Sequence, residues 1–383
     1  MSVVSNPPSR RAAPGVTPAE AAARLAPLWR EVLHLDQVGW DDDYFDLGGD
    51  SALAVELFAR IAREFGRTLP LAVLFEAPTV RLLAALLDEA GGAAPAARVI
   101  ALQPDGPLPP LFLLHDASGD VFGYRRLAQR LGPMQPVYGV RAAGLEGESD
   151  PAASVEAMAE AYLPAIRKIQ PAGPYYLAGY CGGGTIAYEV AQQLVRGGEA
   201  VAFVGLLDTG NWSALPRATV WDRLRRQLER LVFHAAAFAR LDGSARGRLW
   251  REKVKIARAR VPVWRGRLPR WLRGGGDLTR PNALAAVWTA NDRACAQYRA
   301  RPYPGRITDF RPRWQYQRYR QPAAHWERLA GSGCEVRTLP VYPATLLVEP
   351  YVAETASALR AALEDARREA VAGAVGERVR PSA

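Results

Sequence analysis

Cys181 lies among glycines, in Gly179-Tyr180-Cys181-Gly182-Gly183-Gly184, just after the apolar run Tyr175-Tyr176-Leu177-Ala178 and before a helical pattern from Thr185 to about Arg196. Glycines on both sides permit a strained strand-to-helix turn that exposes the side chain, and a helix N-terminus favours an anion there. The pattern suits a thiol nucleophile. A small buried filler is the alternative, since free Cys is among the most buried residue types. Ser51 closes a second stretch, Asp43-Tyr44-Phe45-Asp46-Leu47-Gly48-Gly49-Asp50-Ser51, where two glycines admit bulky chemistry to a hydroxyl at a helix start. Taken alone, that serine reads as a simple N-cap. Asp208 follows the apolar run Val201 to Leu207, and His115 follows Leu111-Phe112-Leu113-Leu114. Thiol, carboxylate and imidazole thus all stand at the ends of predicted strands.

The elements that must position them fall into regions. Residues 1–16, rich in Ser, Pro, Ala and Arg, are expected to be disordered. Thr17-Pro18-Ala19-Glu20 is a capping box that opens a helix to about Leu35, with Leu25, Leu28, Val32 and Leu35 at helical spacing. A second helical pattern runs from Ser51 to about Glu64, and a third from near Thr79 to Gly91-Gly92. The first folded unit is therefore a small helical bundle over 17–90, followed by a linker over 91–97. Alternating strand and helix patterns over 98–367 predict an α/β fold with a mostly parallel sheet, interrupted at about 211–284 by helical segments. The tail 368–383 loses helical period and is expected to be disordered.

At 383 residues, 49% apolar and 23% charged, the chain is long enough for two or three domains with a large core. It has no apolar run of the roughly 18 residues a spanning helix needs, and no apolar core near the N-terminus, so a cytoplasmic location is expected. Three scattered cysteines exclude a disulfide framework or a thiolate metal cage, and no metal is expected. The net charge of +10 is unevenly spread: residues 1–90 carry 8 basic and 13 acidic residues (−5), whereas residues 211–290 carry 18 basic and 5 acidic (+13). Six of the ten tryptophans (Trp212, Trp221, Trp250, Trp264, Trp271, Trp288) share that basic stretch. Interleaved aromatic and basic residues can bind nucleic acid or a membrane. A solvated face that attracts the acidic bundle is the favoured reading, through Arg223, Arg225, Arg226, Lys253 and Lys255. Neither nucleic acid nor membrane is expected as a partner.

Leu47-Gly48-Gly49-Asp50-Ser51 with its flanking helices resembles the carrier domains of nonribosomal peptide synthetases. The resemblance implies a four-helix bundle with 4′-phosphopantetheine esterified to Ser51 by a phosphopantetheinyl transferase, its thiol carrying an acyl group. Asp41, Asp42, Asp43, Asp46 and Asp50 crowd the attachment point. The following region resembles the thioesterase domains of such assembly lines, α/β-hydrolases with a helical lid, here with Cys in place of the elbow Ser. That likeness implies Cys181 as nucleophile, Asp208 as the acid that orients the catalytic His, and the backbone amides of Ala117 and Gly182 as the oxyanion hole. The His115-Asp116-Ala117-Ser118-Gly119 loop departs from the family's His-Pro-Ala-Gly-Gly at Asp116 and Ser118.

The family's own His position falls on Pro343, which cannot move a proton. Of the four histidines, His34 lies in the carrier, His234 in the lid and His325 before the last strand, which leaves His115 as a substitute base. A thiol can exchange with a thioester without a strong base, whereas water must be deprotonated as it attacks. Losing a triad member costs on the order of 10⁴-fold in serine enzymes. The expectation is therefore a carrier–thioesterase didomain of nonribosomal peptide or hybrid biosynthesis. An acyl or aminoacyl group on Ser51-bound pantetheine would be exchanged onto Cys181 and transferred or released, with loading by an adenylation enzyme or other synthetase modules in trans. The alternatives are a hydrolytic or cyclising thioesterase with a substitute base, and a non-catalytic module that only presents the acyl group.

Overall fold

The structure, a computed structural model, describes residues 17–49, 51–88, 98–145, 149–210, 279–314, 326–343 and 345–379. The chain divides into two compact units, Met1–Ala96 and Ala97–Ala383.

In the first unit, Thr17 caps helix α1 (Pro18–Leu33): its Oγ1 accepts the Glu20 amide at 3.3 Å, and its own amide donates to Glu20 Oε2 at 3.0 Å. The buried face comprises Ala21, Ala22, Leu25, Trp29, Val32 and Leu33. Trp29 and not Leu28 enters the core, because the indole meets the Tyr44 ring edge-on at 5.3 Å. α1 packs against α2 (Ser51–Phe65) and α4 (Val80–Asp88), with the single turn α3 (Val73–Glu76) between them in sequence. The loop before α2 is tied down. Tyr44 donates its amide to Pro78 O at 2.7 Å, and Asp43 Oδ1 accepts the Phe45 amide at 2.8 Å. Three of the crowded acids are engaged locally, Asp43 in that turn, Asp42 on the Gly39 amide at 2.7 Å and Asp41 on Arg81. Gly49 is required: a Cβ there would lie 2.2 Å from the buried Tyr44 ring.

The second unit is built on a seven-stranded sheet of order β1-β3-β2-β4-β5-β6-β7. The strands are β1 (Val99–Gln103), β2 (Leu111–Leu114), β3 (Val137–Val140), β4 (Tyr175–Tyr180), β5 (Val201–Leu207), β6 (Ile307–Pro312) and β7 (Cys334–Leu339). β1 is antiparallel to β3, and all other pairings are parallel. The central strands read as near-continuous apolar runs because helices cover both of their faces. α6 (Val155–Ile169) packs on α7 (Gly182–Arg196) and α7 on the sheet, while α5 (Arg125–Leu131) pairs with the last helix, α10 (Val352–Val379). Between β5 and α10 stand α8 (Thr279–Gln297) and the short α9 (Trp326–Leu329).

Two expectations need correction. The final helix continues to Val379, where a disordered tail from 368 was expected; Ala, Glu and Arg are strong helix formers, and an Arg306–Glu369 ion pair anchors the extension. The helix after Cys181 starts at Gly182, three residues before Thr185. The lid helices with their basic residues, His234, His325 and the lead-in 1–16 lie outside the described residues.

Candidate active site

In the parallel sheet, Leu114 pairs with Gly179 and Tyr180 with Leu207, so β2, β4 and β5 end side by side. Asp116, Cys181 and Asp208 follow these ends, at the carboxyl edge where α/β sheets place their chemistry. Cys181 has φ 53° and ψ −118°, a conformation costly for a residue with a Cβ. Its surroundings hold it there: the Cys181 amide donates to Leu207 O at 2.9 Å, and the Gly184 amide donates to Cys181 O at 3.3 Å. Tyr124 braces the turn from below, donating its hydroxyl to Leu114 O and accepting the Tyr180 amide, each at 2.7 Å. Gly183 lets the helix come close, since a Cβ there would sit 2.3 Å from Leu114 O. Asp208, at φ 47°, donates its amide to Phe310 O at 2.9 Å.

The electrostatics differ from the expectation of a thiol activated by a helix terminus. Cys181 is half-buried, and its pKa is pushed up to about 12, first by burial, then by the carboxylates of Asp116 and Asp208. The Gly182 amide acts in the opposite direction but is outweighed. Asp116 was legible only as a departure from the family's loop; its field reaches the sulfur because β2 and β4 are neighbours.

His115 does not serve as a substitute base in this arrangement. Its ring is fully buried, with Nδ1 2.7 Å from Asp116 O and Nε2 2.6 Å from the Tyr162 hydroxyl. A carbonyl only accepts, so Nδ1 carries the proton and the Nε2 lone pair receives the Tyr162 O–H. Burial lowers the imidazole pKa to about 4. Pro343 is buried in the loop after β7, beside Thr345, whose hydroxyl donates to Tyr342 O at 2.7 Å.

The Ala117 amide nitrogen lies 3.8 Å from where a Cβ on Gly182 would stand, so the Ala117 and Gly182 backbones adjoin beside the sulfur. Asp116 Oδ1 shapes the loop by accepting the Ser118 amide at 2.9 Å and the Ser118 hydroxyl at 2.5 Å. Among the described residues no group of His, Cys, Asp and Glu is arranged to hold a metal.

In the first unit, Ser51 is the first residue of the fifteen-residue α2, and Gly48 before it takes a φ of 93°. A helix start preceded by two glycines fits a phosphate ester on the hydroxyl of Ser51.

Comparison with known proteins agrees with both halves. The phosphopantetheine attachment site family matches residues 23–87, and the thioesterase domain family matches residues 109–266. The chain joins a phosphopantetheine carrier to a thioesterase domain. Relatives of this carrier–thioesterase chain are synthetases and synthases. They include malpibaldin synthetase of Mortierella alpina, 42% identical over 187 residues (48% of this chain, 3% of the relative). The dimodular nonribosomal peptide synthase of Bacillus subtilis (strain 168) is 40% identical over 184 residues (48% and 8%). Enterobactin synthase component F of Escherichia coli (strain K12) is 35% identical over 206 residues (53% and 16%). The carrier–thioesterase chain therefore matches only a small part of each. Among solved structures, a holo four-domain nonribosomal peptide synthetase bound to AMP and glycine is similar across 93% of this chain and 27% of its own, at 25% identity and TM-score 0.54. The NocB thioesterase domain shares the fold over 70% of this chain and all of its own, at 23% identity and TM-score 0.51. No helix among the described residues is long and apolar enough to cross a membrane.

Proposed function

We propose that the thioesterase half accepts an acyl group onto Cys181 and passes it to an acceptor other than water, as part of nonribosomal peptide or hybrid biosynthesis. The observation that carries this reading is a strained-elbow thiol beside two backbone amides, with a proline at the family's base position and the nearby imidazole sequestered. The pantetheine arm on Ser51 supplies the acyl thioester when attached. Cys181 Sγ attacks the thioester carbonyl carbon, and the amides of Ala117 and Gly182 hold the developing oxyanion. The old C–S bond then breaks, and the departing thiolate ends with the proton that Cys181 gave up. Thioester and thiol are exchanged with no net redox or proton change.

The raised pKa sets the scale. A shift from 9.0 to about 12 lowers the thiolate fraction about 1000-fold, while the more basic sulfur regains about 20-fold in nucleophilicity, for a net loss of about 50-fold. Hydrolysis without a base loses on the order of 10⁴. Transfer is thus impaired less than hydrolysis. A phosphopantetheinyl transferase and other synthetase modules are the partners a carrier requires, and an acyl or aminoacyl thioester is the substrate class.

The test is intact-protein mass spectrometry of the loaded holo chain beside Cys181→Ala and Ser51→Ala. An acyl group on Cys181 supports the proposal. Release of free acid at ordinary thioesterase rates identifies a hydrolase with another base, and acyl found only on pantetheine identifies a presenting module. The high thiol pKa favours the last outcome over hydrolysis as the second reading.

A further inference from the structure

We infer that Asn291 is a positioning residue for the oxyanion hole, acting from one stripe of α8; this rests on the reading of Cys181 as acyl acceptor. Val287, Asn291 and Cys295 are spaced four apart and so share a face of that helix. Each meets a different part of the site. Val287, fully buried with Ala142 and Leu145, abuts the turn at Gly119, where a Cβ would lie 2.6 Å from its Cγ1. Asn291, only 2% exposed, donates from Nδ2 to Ala117 O at 3.2 Å. Cys295 Sγ lies 3.9 Å from Gly182 O, as its donor, and 3.1 Å from where a Gly182 Cβ would stand.

The two amides that receive the oxyanion come from separate segments, the loop after β2 and the start of α7. Neither segment alone sets their separation. α8 touches both residues, and Asn291 makes the one described side-chain hydrogen bond to Ala117. A buried amide donor on the Ala117 carbonyl holds the Ala117–Ser118 peptide plane, which joins at the Ala117 Cα the plane carrying the Ala117 amide, and an unpartnered carbonyl in the same place would turn to find another donor. With Asn291 removed, the Ala117–Ser118 peptide is free to turn, and the turn passes through the Ala117 Cα to the amide aimed at the carbonyl oxygen, which His115 then holds only from the Asp116 side. Deleting a direct oxyanion donor typically costs about 10²–10³ in rate, so a residue acting through the loop should cost about 10- to 100-fold.

The experiment separates oxyanion stabilisation from access to the sulfur. In the full chain, acylation of Cys181 by the acetyl thioester of N-acetylcysteamine is followed by peptide-resolved mass spectrometry. Iodoacetamide alkylation of the same thiol is followed in parallel, because displacement at a saturated carbon forms no oxyanion. Asn291→Leu should acylate about 10- to 100-fold more slowly and alkylate within twofold of wild type. Asn291→Ala, which removes the donor without adding a charge near the thiol, should behave likewise and serves if the leucine variant does not fold. Unchanged acylation in a folded variant overturns the proposal, as does a parallel fall in both reactions, which would mark Asn291 as packing only. A wild type that alkylates but never acylates overturns the acceptor reading and this role with it.

Discussion

On the proposed reading, the carrier loop and the strand-end site solve the same problem, presenting a nucleophile, in opposite ways. The carrier's functional stretch is contiguous from Asp43 to Ser51, shaped by short-range contacts such as Asp43 Oδ1 on the Phe45 amide. The thioesterase site draws Asp116, Cys181, Asp208 and Asn291 from far-apart segments, and its reactivity depends on how they meet. Local chemistry is readable one residue at a time. Assembled chemistry is governed by fields and contacts across strands, which is why the thiol proves more basic than its helix N-terminus alone suggests.

The comparison can be broken most severely at Ser51. Ser51→Ala should abolish the mass increase given by a phosphopantetheinyl transferase and coenzyme A, while Cys181 still alkylates normally; residual loading elsewhere would refute the assignment. Next in size is Gly49→Ala, whose Cβ collides with the buried Tyr44 ring and should destabilise the carrier by about 1–3 kcal/mol in denaturant unfolding. Reactivity of Cys181 should be untouched, since the two functions reside in separate units.

Asp116→Asn sharpens the contrast from the other side. The amide oxygen can still accept from Ser118, but the negative charge next to the thiol is gone, so the Cys181 pKa should fall. Iodoacetamide alkylation at pH 7 should rise about three- to fourfold for each unit by which the pKa falls, ten times more thiolate being partly offset by the lower nucleophilicity of a less basic sulfur. In the wild type, the rate should climb tenfold per pH unit from 7 to 9 without a plateau, because the thiol titrates near 12. A plateau below pH 9 would show that burial and the two carboxylates together do not hold the thiol protonated. The smallest effect concerns the +13 stretch 211–290 and the −5 carrier. Raising salt well above 0.1 M, where the screening length is about 10 Å, should slow acylation from a carrier supplied in trans by a few-fold. A salt-independent rate would remove the electrostatic docking.

Much of the fold was legible because it rests on local signals. The capping box at Thr17, the apolar runs of β2, β4 and β5, and the glycine-flanked Cys181 all announce themselves within a few residues. What escaped the sequence has a long-range cause. Trp29 displaces Leu28 from the core because Tyr44 is there to receive it. The last helix runs past its weakening period because Arg306 pairs with Glu369. His115 looked available as a base until Tyr162, 47 residues away, took its lone pair. Asn291 and Cys295 carried no motif, only a four-residue spacing that gains meaning once α8 reaches both Ala117 and Gly182.

The order of residues by itself determined which atoms are present: a hydroxyl at a helix start, a sulfur at a glycine turn, and a proline at position 343 in the loop after the last strand. Tertiary structure decided how reactive they are. Strand pairing places two carboxylates beside the sulfur and burial strips its water, and both raise the cost of the thiolate. Neither effect has a counterpart in an extended chain, where those carboxylates would be far away and solvated.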